Sequence, residues 1–377
     1  MSSAPTVGVV GGGQLARMMQ QAAIPLDVTL RVLAARPDDS AAQVCPDVVV
    51  GSPDTGLSEL AAGCDVVTFD HELVDPAALA ASAAAGGTLR PSAAAQAYAQ
   101  DKAYQREAFA AAGLPIPSYG VADTVDEATG LAERLGWPMV VKTPRGGYDG
   151  RGVVVVEGAA ELAATWPALG GGPLLCEAHV PLVAELAVLV ARRPGGQAVA
   201  YPVVGTEQRD GILVELHVPA AVSETVARRA EAAALAVADV VDHAGILAVE
   251  LFFDGTQVLV NEVATRPHNS GHWTIEGATT SQFANHLRGV LDWPLGTTTM
   301  TAPAAVTVNL LGPEDGTDPA ARLPAALEVS DVAVHLYGKA ARAGRKLGHV
   351  TALAGSVEKA AADARRAAAV LTEGRDS

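Results

Sequence analysis

The chain has 377 residues, enough for two or three domains with cores of their own, and 49% hydrophobic against 18% charged residues excludes a disordered polypeptide. A formal net charge of −16 argues against nucleic-acid binding along a basic face, and no apolar run approaches the roughly 20 residues that span a bilayer, so neither nucleic acid nor membrane is an expected partner. No positive charge precedes the apolar run at 7–10, so no secretory signal is expected and the expected location is the cytoplasm. Cys45, Cys64 and Cys176 form no C-x-x-C pair and read as reduced, packed thiols.

Residues 6–95 alternate apolar strands (7–10, 28–33, 48–50 and 65–69) with helical stretches, the first opening at Gln14. Such alternation predicts a parallel sheet flanked by helices. A helical stretch at 101–112 is closed by Gly113, Pro115 and Pro117. Residues 139–142 and 152–156 read as two strands joined by a glycine-rich hairpin loop, and 174–176, 185–191 and 198–202 as an antiparallel sheet. A helix at 223–243, started by Ser223, precedes strands at 248–253 and 257–262 and a helix at 280–291. After Pro294 come strands at 304–311 and 332–336, a basic loop, and a polar, alanine-rich tail from Ala360 expected to be a fraying helix. The fold class is therefore α/β and α+β. Its expected domains are 1–97, 98–300 (a part at about 118–180, the remainder at about 181–300) and a small, β-rich 301–377.

Four motifs carry chemistry. Residues 261–273, N-E-V-A-T-R-P-H-N-S-G-H-W, crowd a carboxylate, an arginine, two histidines, an asparagine and a serine behind the apolar run at 258–260. Polar groups so dense at a strand's end do not build a core, because each would need a buried partner. Glu250 and Glu262 stand on two strands joined by the turn Asp254-Gly255, so both carboxylates can share one face, as Mg²⁺ held partly by phosphates requires. Lys142 ends one strand ahead of Arg145-Gly146-Gly147-Tyr148-Asp149-Gly150-Arg151-Gly152, where backbone N–H groups and the lysine suit phosphate oxygens. Gly11-Gly12-Gly13-Gln14 turns from a strand into a helix whose N-terminus offers N–H groups to an anion; a purely structural tight turn is the alternative. A nicotinamide dinucleotide fits poorly, since Ala34-Ala35-Arg36 stands where an acidic residue would hold the ribose. Lys339, Arg342, Arg345, Lys346 and His349 form a basic run in an acidic chain.

In this order, GGGQLARM at 11–18, GGYDGRG at 146–152, NEVATRPHNSGHWT at 261–274 and YGKAARAGRKLGH at 337–349 resemble the ATP-grasp superfamily, and within it the N5-carboxyaminoimidazole ribonucleotide synthase family of purine biosynthesis. The resemblance spans about 6–355. It implies a Rossmann-like N-terminal domain, central ATP-grasp subdomains with a lid, and a C-terminal domain. It also implies ATP as co-substrate, Mg²⁺, bicarbonate and 5-aminoimidazole ribonucleotide, and a homodimer. Transferred residue by residue, Lys102 and Lys142 would hold phosphates, and Gly147, Tyr148, Asp149, Gly150, Arg151, Gly152 and Val153 would form the lid. Glu177, Ala178, His179 and Val180 would edge the adenine, Glu185 would bind the ribose, Gln208 and Asn261 would complete the nucleotide site, and Glu250 and Glu262 would hold Mg²⁺. Tyr148, Asp149, Arg151, Arg266, His268, Asn269 and Ser270 would surround bicarbonate and the acceptor amine; Gly13, Gln14, Leu15, Lys339, Arg345 and Lys346 would hold the ribonucleotide phosphate.

The chain departs from related patterns at three positions. Lys102 stands where the family more often has arginine, Gln208 where it often has histidine, and Ala264 where many ATP-grasp ligases carry a metal-strand asparagine. A formate-using transformylase of the same superfamily would read P-R-P-H-D-T-G where this chain has T-R-P-H-N-S-G at 265–271, and a nucleotide sensor without turnover need not keep both Glu250 and Glu262.

Overall fold

The computed structural model describes residues 4–147, 152–329 and 331–374, which build three sheets. The first is parallel: β1 (Thr6–Val10), β2 (Thr29–Ala34), β3 (Asp47–Val50) and β4 (Val66–Phe69), in the order β3-β2-β1-β4. Helices pack against this sheet, and Val7, Val9, Val10, Leu30 and Val32 are wholly buried, as in parallel sheets covered on both faces. Strand order reverses between β1 and β4, so a crevice opens at their carboxyl ends, where sheets of this kind bind ligands. The loops at 11–13 and 70–72 line it.

The second sheet is antiparallel: β5 (Tyr119–Ala122), β6 (Met139–Lys142), β7 (Val153–Val156) and β8 (Leu174–Ala178), in the order β5-β8-β6-β7. The sequence reading had joined 174–176 to 185–191. Instead β8 lies between β5 and β6, where Leu174 and Cys176 share a core with Leu162 and Trp166.

The third sheet holds β9 (Ala184–Arg192), β10 (Ala198–Ala200), β11 (Val204–Arg209), β12 (Ile212–Val218), β13 (Gly245–Phe253), β14 (Val258–Ala264), β15 (Ala304–Leu311), β16 (Val332–Leu336) and β17 (Lys346–Ala354). Its order is β14-β13-β9-β11-β12-β15-β17-β16, with β10 also on β9. The C-terminal domain thus continues the central sheet, β15 pairing with β12. Lys346, Gly348 and His349 disguised β17 as loop, yet it lies between β15 and β16.

The last helix, Val357–Glu373, is a correction to the expected fraying tail. Ser356 caps it, and Ala360, Ala364, Ala367 and Leu371 are wholly buried against β15 and β17. Alanines at helical spacing give a flat face that lies close to a sheet, so their smallness served packing. Among the described residues, no helix is long and apolar enough to cross a membrane.

One joint predicts a pH dependence. His286 is wholly buried between the first and third sheets; its Nδ1 accepts the Ile246 N–H at 3.0 Å, so Nε2 carries the proton toward Thr68 Oγ1 at 2.8 Å. Burial pushes its pKa down to about 3, that of His243 to about 4, and those of His272 and His349 well below 6.5. Below pH 6.5 the unfolded chain binds protons that these folded histidines refuse, so stability falls as pH falls, by about 1.4 kcal/mol per pH unit for each such group. Urea unfolding between pH 7 and 5 should show this loss, and His286→Gln should flatten the slope by about 1.4 kcal/mol per pH unit. An unchanged slope would contradict the assignment.

Candidate active site

A cavity of about 750 Å³ opens where the three sheets meet. Its wall includes Lys102, Lys142, Gly147, Val153, Glu177, Ala178, His179, Val180, Glu185, Gln208, Asn261 and Glu262 from the expected nucleotide set, and Glu250, Arg266, His268 and Asn269. Gln14, Leu15 and Lys346 line it as well. Ser270 is buried behind the wall. Tyr148, Asp149, Gly150 and Arg151 lie outside the described residues. Gly152 closes the hairpin: its φ of +73° and the Thr143 hydroxyl against any added Cβ require glycine there.

The hairpin of β13 and β14 sets the carboxylate pair. Glu250 stands directly opposite Glu262, with a bulge immediately after Glu250, so the two side chains share a face. Lys102 makes an ion pair with Glu262, and His268 Nε2 lies 3.4 Å from Glu250 Oε1. Burial and the Glu262 charge push the Glu250 carboxyl up; burial acts likewise on Glu262, but the Lys102 and Lys142 ammoniums with the neighbouring His268 together outweigh it and hold Glu262 down. Among the described residues, no three His, Cys, Asp or Glu side chains form a metal-binding group. Two carboxylates on one face do fit Mg²⁺, which keeps waters and takes phosphate oxygens for the rest of its octahedron.

Lys142 is held by a buried chain of charges. Its Nζ lies 2.7 Å from Glu177 Oε2 and 3.3 Å from Asn261 Oδ1, while Arg106 Nε donates to Glu177 Oε1 at 2.5 Å. Burial would raise the Glu177 carboxyl, yet the charges of Arg106 and Lys142 hold it below its ordinary value. With both oxygens engaged, the Glu177 side chain orients Lys142. Glu185 on β9 is pushed up by burial and hydrogen-bonded by Gln208 on β11.

The stretch at 261–273 divides at the end of β14. Arg266 swings back onto Glu72: Nε lies 2.8 Å from Oε1 and Nη2 donates to Oε2 at 3.1 Å, while Nη1 donates to Pro267 O at 3.1 Å. His268 Nδ1 accepts from Ser270 N–H at 3.3 Å and meets Ser270 Oγ at 2.9 Å, which leaves the ring proton on Nε2, toward Glu250. Gln282, wholly buried, clamps the same residue's backbone: Oε1 accepts the His268 N–H at 2.9 Å and Nε2 donates to its carbonyl at 2.8 Å. Asn269 keeps both amide atoms buried without a partner at the cavity wall. Such atoms are costly unless a ligand supplies the bonds.

A model of the ATP-grasp domain matches residues 107–283, flanked by the ribonucleotide synthetase preATP-grasp domain at 4–100 and the phosphoribosylaminoimidazole carboxylase C-terminal domain at 305–363. N5-carboxyaminoimidazole ribonucleotide synthase of Mycobacterium tuberculosis is 47% identical over 99% of this chain and 89% of its own. The chain belongs to the N5-carboxyaminoimidazole ribonucleotide synthase family. Two solved Aspergillus clavatus structures agree in fold. One, complexed with ATP, has a TM-score of 0.90 at 33% identity and full coverage of both chains. The other, with ADP and 5-aminoimidazole ribonucleotide, has a TM-score of 0.89 at 32% identity over 98% of this chain and 99% of that one.

In this family member two of the N–H groups at the glycine turn already meet a carboxylate of the chain: Asp70, following β4, accepts the Gly13 N–H at 2.5 Å and the Ala16 N–H at 3.2 Å. The basic run also divides. Lys339 reaches Gln14 Oε1 at 2.5 Å; Arg345 and Lys339 border a smaller cavity of about 400 Å³ shared with Gly13; Lys346 faces the main one. His349 is structural: its ring stacks between His272 and His335 at 4.7 and 4.6 Å, and the Tyr337 hydroxyl meets its Nδ1 at 2.8 Å. Ala264 faces the cavity two residues beyond Glu262, so the absent asparagine leaves that wall apolar. Sequence reasoning missed Glu72, Asp70, Arg106 and Gln282. The first two carried a signal, an Asp-His-Glu run at the carboxyl end of a strand beside the switch point.

Proposed function

We propose that this cavity carboxylates 5-aminoimidazole ribonucleotide with bicarbonate at the expense of ATP, through carboxyphosphate. The chain is an ATP-dependent ligase of purine biosynthesis, and the residue roles below are our reading of its site. The observation that carries it is the facing pair Glu250 and Glu262, with Lys102 paired to Glu262, His268 beside Glu250, and Lys142, Arg266 and Asn269 on the wall of the same cavity.

A bicarbonate oxygen would attack the γ-phosphorus of ATP, and ADP would leave. Lys142, aimed by Glu177, and Lys102 would carry the charge that develops on the transferred group. Glu250 and Glu262 would hold Mg²⁺, which when bound would supply positive charge to the phosphates. Carboxyphosphate would divide into CO₂ and phosphate, and the exocyclic amine would attack CO₂ and lose a proton to give the N-carboxy product. Arg266 keeps donors beyond those given to Glu72 and Pro267, and with the unpartnered Asn269 amide it would orient bicarbonate. A closed lid would exclude the water that hydrolyses carboxyphosphate.

Phosphate release from ATP should require both 5-aminoimidazole ribonucleotide and bicarbonate, and formate with glycinamide ribonucleotide should not replace them. No stimulation by the aminoimidazole would overturn the reading. Lys346→Ala should raise KM for the ribonucleotide about tenfold with little change in kcat, as loss of a charged ground-state contact does. A selective rise in KM for ATP would count against its phosphate role. The homodimer belongs to the same reading, supported by the family resemblance, and sedimentation of the intact enzyme tests it.

A further inference from the structure

The ion pair between Lys102 and Glu262 puts an ammonium on one oxygen of a carboxylate that would hold the metal. We infer that Lys102 makes the carboxylate pair select metal brought with nucleotide over free metal, an inference that rests on the metal role of Glu250 and Glu262.

The main chain around Lys102 is fixed, so only its side chain can yield. Lys102 opens the helix Lys102–Ala111, and its N–H donates to Pro144 O at 2.8 Å. Asp101 caps that helix, accepting the Ala103 and Tyr104 N–H groups, and its other oxygen takes Arg145 at 2.8 Å. The Lys102 side chain is only 17% exposed. Lys102 occupies Oε2 of Glu262, so a metal that takes both oxygens, or Oε2 alone, displaces the ammonium, and one on Oε1 is repelled by it at close range. A mostly buried ammonium then needs another anion. Glu177 is engaged by Arg106 and Lys142, Asp101 by Arg145 and the helix N-terminus, and Glu250 would itself turn to the metal. On the same wall Glu72 is held by Arg266, and burial pushes the Glu185 carboxyl toward its neutral form, which leaves the triphosphate as the anion for Lys102. Free metal therefore carries the cost of a stranded ammonium, and metal with nucleotide does not. Linkage makes the effect reciprocal: whatever factor nucleotide adds to metal affinity, metal adds to nucleotide affinity.

Mn²⁺ as probe, followed by electron paramagnetic resonance on nucleotide-free protein, tests this without turnover. Wild type should bind free Mn²⁺ weakly, and Lys102→Met and Lys102→Gln about tenfold more tightly. Lys102→Arg, which keeps a cation at Glu262, should match wild type. Lys142→Met removes an equal charge from the same cavity without uncovering Glu262, and should gain far less. Circular dichroism and thermal melting verify the fold of each variant, the two neutral replacements serving as duplicates. Equal binding by wild type and both neutral variants, or an equal gain in Lys142→Met, would overturn the inference. Its failure differs from failure of the metal reading, which would appear as Glu262→Gln binding Mn²⁺ normally in the presence of ATP.

Discussion

Replacing Glu262 by glutamine is expected to lower kcat for ATP turnover by about 10²–10³-fold, the range lost when one preorganised charge partner of a developing transition-state charge is removed. Glutamine keeps the shape and one acceptor but not the charge that two neighbours use. The Lys102 ammonium loses its partner, and Glu250 alone is left to attract a divalent cation. Glu250 is a poor substitute, because burial disfavours its ionised form even once the Glu262 charge is gone. Lys346, which we propose holds the ribonucleotide phosphate, is not changed, so affinity for 5-aminoimidazole ribonucleotide should survive. Steady-state ADP release together with calorimetric titration of the ribonucleotide checks both parts. Near-normal turnover would remove the metal assignment.

Lys142→Met is the second large effect, again about 10²–10³-fold in kcat with KM for the ribonucleotide little changed. Lys142 is 9% exposed on its side chain and reaches the cavity from the end of β6, aimed by Glu177 and Asn261. Methionine fills much the same volume, and Glu177 keeps Arg106, so no buried charge is left without a partner. The fold should therefore persist while the γ-phosphoryl group loses a cation fixed in advance. Rapid-quench measurement of ADP formation separates this from slow product release. A normal chemical step would show that Lys142 acts elsewhere.

The legible parts of this site share a local cause. Glu250 and Glu262 could be paired from sequence because the Asp254-Gly255 turn, where Asp254 accepts the Thr256 and Gln257 N–H groups, fixes their register. The end of the β14 strand was legible because polar side chains crowd where apolar spacing stops. What stayed hidden depends on partners far apart in the chain. Asp70 reaches the helix N-terminus from 57 residues away, and Glu72 meets Arg266 across 194. The glycine turn looks the same in sequence whether its N–H groups meet a phosphate or a carboxylate. Arg106 reads as an ordinary helix cation until β8 brings Glu177 to it. Gln282 sits in the first turn of an amphipathic helix, and only the fold turns its amide onto His268. The last helix was misread for a different reason: alanine spacing specifies a close-packed face as readily as a loose tail, and contact with β15 and β17 decides between them.

In the proposed reaction bicarbonate is the nucleophile toward ATP and carboxyphosphate the carrier. Turnover with ¹⁸O-labelled bicarbonate and unlabelled ATP in unlabelled water tests it directly, with the released phosphate analysed by mass. Attack by a bicarbonate oxygen predicts one ¹⁸O per phosphate in the presence of 5-aminoimidazole ribonucleotide. Phosphate carrying no label, with product still formed, would contradict it.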